Sequence, residues 1–168
     1  QMVNLMSDES SERVSVVITA FNDAETIARA ITSVRRQNHS ELEILVVDDG
    51  STDDTAERAR EALQGVPCHQ VIQQANSGLG AARAAGAAQA TGAYLTFLDA
   101  DDEYHPDKVG RQLEVLHSLP RTILFTGAKG LDENGREFIR QGDGGARVVT
   151  EDFVSGRVMP GGHASLMV

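Results

Sequence analysis

The sequence predicts an α/β protein with an open, mainly parallel β-sheet flanked by helices, similar in plan to a Rossmann fold. An apolar strand, a polar turn and an amphipathic helix follow one another four times between positions 14 and 118. Strands that alternate with helices are typical of βαβ crossovers and a parallel sheet. The strands also lack polar alternation, which indicates that both faces of the sheet are covered.

Each of the four units has its own pattern. The predicted strands are VSVVIT (14–19), LEILVV (42–47), CHQVIQ (68–73) and YLTFL (94–98). Apolar residues at helical spacing follow each polar turn. They predict a third helix over 79–90 and three further helices, whose apolar positions are 27, 31 and 34 in the first, 56, 59 and 63 in the second, and 109, 113 and 116 in the fourth.

The ends of two helices carry signals of their own. Thr52 or Asp53 is a candidate cap for the second helix, and acidic residues fill its first turn. Pro106 is expected in the first turn of the fourth helix, which Pro120 ends.

After Pro120 the alternation of strands and helices is lost. TILFTGA (122–128) predicts a fifth strand. LDENGREFI (131–139) predicts a hairpin that turns at Asn134-Gly135. The residues that follow show no clear period and contain many glycines.

These patterns predict one domain over 13–168, preceded at 1–12 by a disordered tail or a remnant of the cloning. Within the domain, 13–118 forms a regular front half and 119–168 an irregular back half. The chain has 168 residues, which is enough for one domain with a sizeable core.

Composition restricts the classes of function. The net charge of −10 argues against binding to duplex nucleic acid, which needs a basic face to neutralise phosphates. No apolar stretch has the length required to span a bilayer. Cys68 is the single cysteine, so no disulfide framework is expected. We expect a cytoplasmic protein, with any membrane association supplied by regions outside this sequence.

A polar turn follows each predicted strand at its carboxyl end. The turns are TAFN (19–22), DDGS (48–51), NSGLG (76–80) and DADD (99–102). Parallel strands bring their carboxyl ends to one edge of the sheet, where open α/β sheets bind their ligands. The four turns together therefore predict one ligand site.

The DADD turn places two carboxylates in a D-x-D pattern directly after a buried strand. Asp99 and Asp101 would repel each other, and their pKa values would rise without a cation. Mg²⁺ or Mn²⁺ resolves this conflict, since it accepts one or two carboxylates and completes its shell with water and phosphate oxygens. The alternative is a solvated loop that caps the next helix, which suits Asp102 and Asp107.

The other turns offer groups that suit a nucleotide. Asp49 could accept hydrogen bonds from a ring N–H or from ribose hydroxyls, or could form an Asx turn. Phe21 could pack against a flat base, although core packing explains it equally well. Asn22 or the next residue could cap the first helix. Arg83 could reach a base or a phosphate, or could face solvent.

Three segments carry a resemblance to a known family. VSVVITAFNDAETIARAITSVRRQ, ELEILVVDDGSTDDT and ANSGLGAARAAGAAQATGAYLTFLDADDEYHPDKV together resemble the nucleotide-binding half of family 2 glycosyltransferases, which have the GT-A fold. The resemblance covers about residues 13–118. It implies an enzyme that transfers a sugar from a nucleotide diphosphate sugar, with a UDP-sugar favoured, to an acceptor hydroxyl with inversion at the anomeric carbon.

The resemblance also implies roles for individual residues. Thr19, Ala20 and Phe21 would border the nucleobase, and Asp49 would bind it. Further donor-binding residues would be Asn22, Gly50, Asn76, Gly78, Arg83, Asp99 and Ala100. Asp101, with Asp99, would hold the Mn²⁺ or Mg²⁺ ion that bridges the diphosphate.

The general base is the missing part of the pattern. The family places it in an acidic pair of the back half, after a strand that resembles GGHASLMV, and this sequence ends at that strand. TEDF (150–153) contains Asp152, a weak candidate because it precedes that strand. We therefore expect a complete donor site and a truncated acceptor half. The acceptor stays open between a saccharide, a lipid carrier and a protein.

Other functions remain as alternatives. A non-catalytic nucleotide-binding module would share the same donor site. A phosphoacceptor signalling domain would need paired acids after the first strand, and TAFN has none. A sugar nucleotidyltransferase would need a glycine-rich basic loop at the same place.

Overall fold

The computed structural model describes residues 12–118, 123–125, 128–131, 136–140, 147–149 and 166–167. The chain divides into two compact units, Gln1–Arg111 and Gln112–Val168, and the division falls inside the fourth helix.

The first unit repeats a strand and a helix four times, as the sequence predicts. Its elements are β1 (Val14–Ala20), α1 (Ile27–Arg35), β2 (Leu42–Asp48), α2 (Thr55–Ala62), β3 (His69–Gln73), α3 (Leu79–Gln89), β4 (Tyr94–Asp99) and the start of α4 (Lys108–Ser118). Pro106 precedes α4 instead of lying in its first turn, and its backbone carbonyl accepts a hydrogen bond from the Asn38 N–H at 3.1 Å.

The four strands form a parallel sheet in the order β3-β2-β1-β4. Thr19 of β1 lies beside Asp99 of β4, and Ala20 lies beside Asp48 of β2. The carboxyl ends of these strands therefore meet at one edge, as the sequence predicts. β1 is central, and all seven of its residues are buried, so both faces of the sheet are covered at this strand.

The helices bury the apolar stripes that the sequence predicts. In α1 these are Ile27, Ile31 and Val34, all fully buried. Helix α3 packs against β1 and β2 through small residues. A Cβ atom added to Gly86 would clash with Val17 Cγ1, so only glycine permits this approach of helix and strand.

The second unit contains the end of α4 and short strands. The described strands are β5 (Ile123–Phe125), β6 (Ala128–Leu131), β7 (Glu137–Arg140), β8 (Arg147–Val149) and β9 (Leu166–Met167). β5 pairs antiparallel with β8 and with β9, whereas β6 pairs antiparallel with β7. The predicted hairpin is confirmed in this last pairing, and its turn lies outside the described residues. The predicted fifth strand is wrong in extent, since β5 and β6 have different partners.

Within the part of the chain that the structure describes, no helix combines the length and the apolar character needed to cross a membrane.

Candidate functional site

The loops after β1 and β2 are joined by polar side chains. The Asn22 N–H donates to Ser51 Oγ at 2.9 Å, and Asn22 Oδ1 accepts from the Thr52 N–H at 2.8 Å. Asn22 adopts a left-handed conformation with φ of 58°, which asparagine tolerates better than most residues. Asn22 therefore links the two loops, a different role from the helix cap that the sequence suggests.

Asp49 holds the loop that follows β3. Its side chain is buried and accepts three hydrogen bonds, from the Ser77 N–H at 2.9 Å, the Gly78 N–H at 2.8 Å and Gln74 Nε2 at 2.7 Å. These donors, the Ser77 N–H first among them, hold the pKa of Asp49 below its ordinary value. An ionised carboxylate only accepts hydrogen bonds, and Oδ2, which accepts from Gly78 alone, has room for another donor.

The turn after β2 requires a glycine. Gly50 has a φ of 80°, a conformation that favours glycine. A Cβ atom at this position would lie 2.7 Å from the backbone nitrogen of Asn76. The close approach brings the backbone of Asn76 against the turn after β2.

Asp99 and Arg83 form an ion pair at the end of β4. Asp99 Oδ1 accepts from Arg83 Nη2 at 2.8 Å and from Thr19 Oγ1 at 3.1 Å. The Arg83 Cζ atom lies 5.8 Å from the centroid of the Phe97 ring. Arg83 is therefore drawn to the carboxyl edge of the sheet, and its buried Nε has no hydrogen-bond partner among the described residues.

The acidic turn leaves one carboxylate without an internal partner. The Ala100 N–H donates to the Thr19 carbonyl, and the Asp102 N–H donates to the Asp99 carbonyl, both at 3.0 Å. Asp101 is exposed, and no hydrogen bond or ion pair from the described residues reaches its carboxylate. Asp101 is therefore free to bind a cation from solution.

A cation at this turn would need oxygen atoms from outside the protein. Among the described residues, no group of three or more His, Cys, Asp or Glu side chains is placed to hold a metal ion. Mg²⁺ and Mn²⁺ fit such a site, because they are commonly bound by one or two carboxylates together with water and phosphate oxygens.

Asp23 is a residue of this edge that the sequence suggests only as a helix cap. Its Oδ2 accepts from the Phe21 N–H at 2.8 Å. Burial raises the pKa of Asp23, and the nearby carboxylates of Asp101, Asp53 and Asp99 raise it further. Negative charge is thus concentrated around the acidic turn. No local sequence signal predicts this, because these carboxylates come from three different loops.

Two large apolar side chains at the same edge are exposed. Phe21, after β1, is 46% exposed, and Leu79, at the start of α3, is 51% exposed. The exposure of Phe21 disfavours core packing and leaves its ring accessible to a flat ligand. Leu79 carries no sequence signal that distinguishes it from the buried positions of α3.

Some predicted residues lie elsewhere. Asp107 accepts from Asn38 Nδ2 and from Arg111 Nη2, both at 3.4 Å, which agrees with a solvated loop carboxylate. Asp152, the candidate base, lies outside the described residues.

Comparisons with known proteins agree on one family. The family model described as glycosyl transferase family 2 matches residues 15–154. An uncharacterized glycosyltransferase of Nostoc sp. is 44% identical over 107 residues, which cover 63% of this chain and 33% of that protein. The chondroitin synthase of Escherichia coli is 34% identical over 123 residues, which cover 73% of this chain and 18% of the synthase. The chain thus spans about a third or less of these two relatives.

Solved structures share the fold. TarS of S. aureus, in a structure with UDP-GlcNAc, matches with a TM-score of 0.67 and 28% identity over 77% of this chain and 37% of TarS. The mannosyltransferase PcManGT of Pyrobaculum calidifontis, in complex with GDP-Man and Mn²⁺, matches with a TM-score of 0.64 and 24% identity. That match covers 70% of this chain and 36% of PcManGT. The mainly parallel sheet of the first unit is therefore that of GT-A glycosyltransferases.

Proposed function

Since the chain belongs to glycosyl transferase family 2, we propose that it carries the donor site for transfer of a sugar from a nucleotide diphosphate sugar to an acceptor hydroxyl. One observation supports this most strongly. An exposed aromatic ring, a buried acceptor-only carboxylate and a carboxylate without an internal partner share one edge of the sheet, at Phe21, Asp49 and Asp101. These groups suit a base, a ring N–H and a cation, respectively.

The proposed base is uracil. TarS, which is 28% identical to this chain, has been solved with UDP and with UDP-GlcNAc. The free acceptor position of Asp49 Oδ2 matches the single N–H donor of the uracil ring, and the exposed ring of Phe21 offers a face for it. Asn76 and Gly78 complete this side of the site, with Thr19 and Ala20 at the end of β1.

The proposed cofactor is Mn²⁺ or Mg²⁺, held by Asp101. Asp99 already accepts hydrogen bonds at Oδ1, so its Oδ2 is the oxygen that faces new partners. The ion, when bound, would stabilise the negative charge that develops on the departing nucleoside diphosphate. Arg83, beside Asp99, would add a positive charge toward the same phosphates.

The transfer itself is proposed to invert the anomeric carbon. Inversion needs a carboxylate that takes the proton of the acceptor hydroxyl on the face opposite the leaving group. Asp152 is the one candidate in this sequence, and a base from elsewhere in a longer protein is the alternative. The acceptor would be a saccharide, a lipid carrier or a protein.

Thermal unfolding with UDP, GDP, CDP, ADP and dTDP, each with and without Mn²⁺, tests the donor site. A ligand at ten times its Kd stabilises the folded state by about 1.4 kcal/mol. We expect UDP to raise the unfolding temperature more with Mn²⁺ than without it, and Asp101→Ala to abolish the additional rise. Asp54→Ala is the matched control, because Asp54 is exposed and makes no capping hydrogen bond. An equal response of Asp101→Ala and the unmodified protein would refute the proposed cation site.

A further inference from the structure

The segment that follows the acidic turn is docked on the end of α1. The Tyr104 N–H donates to Ser33 Oγ at 2.9 Å, and the Pro106 carbonyl accepts from the Asn38 N–H at 3.1 Å. Tyr104 and Ser33 are both buried, and each is 6% exposed. The docking therefore fixes the backbone of this segment and not only its side chains.

Gln37 makes the central contacts of this docking. Its Nε2 donates to the His105 carbonyl at 2.9 Å and to the Ser33 carbonyl at 3.1 Å. Its Oε1 accepts from the Val109 N–H at 3.0 Å. The side chain is 8% exposed, so water cannot readily replace these bonds. One amide thus binds the end of α1, the segment after the acidic turn and the first turn of α4.

The acidic turn lies between two fixed points. On one side, the Ala100 N–H is bonded to β1 through the Thr19 carbonyl. On the other side, Tyr104 begins the segment that Gln37 and its neighbours hold. Asp101, between them, has no hydrogen bond of its own to the described residues. Its position therefore depends on both fixed points.

We infer that Gln37 is a positioning residue for the cation subsite, which it serves by fixing the segment after the acidic turn and thereby the carboxylate of Asp101. The inference rests on the proposed function, since it concerns the same subsite. The neutral amide of Gln37 supplies the donor for the His105 carbonyl and the acceptor for the Val109 N–H together. Gln37→Glu loses the donor, and Gln37→Leu loses both groups.

The test separates binding that needs the cation from binding that does not. The Kd of UDP is measured by calorimetry with and without Mn²⁺, and the ratio gives the factor by which Mn²⁺ tightens binding. In Gln37→Leu we expect this factor to fall roughly tenfold, because small displacements of a ligating group are costly. The Kd of UDP without Mn²⁺ is expected to stay within about twofold of the original.

Two further variants guard against a simple loss of folding. Ser33→Ala removes the acceptor for the Tyr104 N–H and, within α1, the hydroxyl that donates to the Ala30 carbonyl. We expect it to lower the Mn²⁺ factor less than Gln37→Leu does. Gln89→Leu makes the same change at an exposed position of α3 and should leave both constants unchanged.

The outcomes separate the two proposals. If Mn²⁺ does not tighten UDP binding to the unmodified protein, the proposed cation subsite fails and this inference fails with it. If Mn²⁺ tightens UDP binding to the unmodified protein and tightens it by the same factor in Gln37→Leu and Ser33→Ala, the inference alone is overturned. An equal loss of affinity with and without Mn²⁺ would also overturn it, since that result indicates a general structural role. If Gln37→Leu does not fold, Ser33→Ala decides.

Discussion

Lys108, at the start of α4, has a buried ammonium group whose titration should be visible in the stability of the protein. Its Nζ lies 3.8 Å from the centroid of the Tyr104 ring and 3.3 Å from Thr96 Oγ1. Burial disfavours the charged form and lowers the pKa of Lys108 from 10.5 to about 7. The unfolded chain, in which the side chain is hydrated, keeps the ordinary pKa.

The direction of the effect follows from the protons bound in each state. Between pH 7 and pH 10.5 the unfolded state holds a proton on Lys108 that the folded state has released. The free energy of unfolding therefore rises with pH in this range, and the contribution of Lys108 to it is lost as the pH falls toward 7. At 1.36 kcal/mol for each factor of ten, the full difference is about 5 kcal/mol, of which about 2 kcal/mol falls between pH 7 and pH 9.

Urea unfolding at pH 7, 8 and 9 measures this slope. We expect the free energy of unfolding to rise by about 2 kcal/mol from Lys108, and Lys108→Met to remove that rise because it leaves no group to titrate. Arg60→Met is the control, since it removes a positive charge from a side chain that is 48% exposed. If Lys108→Met and the unmodified protein show the same slope, the buried ammonium does not titrate as argued.

Three further predictions concern charge and packing. Asp23→Asn should raise stability at pH 7, because it removes a charge that is partly buried and that the neighbouring carboxylates repel. The gain should shrink at pH 4, as Asp23 in the unmodified protein takes up a proton, and thermal unfolding at the two pH values checks this. Gly50→Ala should lower the free energy of unfolding by about 2 kcal/mol or more, since the φ of 80° and the close approach of Asn76 both oppose a side chain. An unchanged urea midpoint would contradict this geometry of the turn. Gly86→Ala should lower the free energy of unfolding in urea by about 1–3 kcal/mol, because the added methyl group overpacks the core. Gly80→Ala in the same helix is the control, since a Cβ atom added there would have no atom within 4 Å. It should be neutral, or should raise the free energy of unfolding by up to about 1 kcal/mol.

The parallel sheet and its functional edge could be predicted because the signals are local. Each strand and helix has its own period within about ten residues. Parallel pairing then places the carboxyl ends together without further information. Asp49, Asp99 and Asp101 are predictable in this way, since each lies within two residues of the end of a strand. The donor-binding and metal-binding roles of these residues stay predictions.

The partners of the site residues could not be predicted, because they come from distant parts of the chain. The donors to Asp49 lie 25 to 29 residues further along the chain. Gln37 bonds to His105 and Val109 across 68 and 72 residues. Nothing in the sequence near Gln37 distinguishes a buried amide with three bonds from an exposed one. Such contacts exist only after the sheet has brought the loops together.

The division of partners among the acidic residues explains how this edge tolerates its charge. Asp49 has three internal donors, and Asp99 has a hydroxyl and a guanidinium, so both carboxylates have partners within the protein. Asp101 has no internal partner, and Asp23 has one backbone N–H against three neighbouring carboxylates. Among these four carboxylates, the negative charge without a sufficient partner therefore lies on Asp23 and Asp101. A divalent cation bound by Asp101 would reduce the repulsion at both, which makes the acidic turn a site that gains stability from the ligand it is proposed to bind.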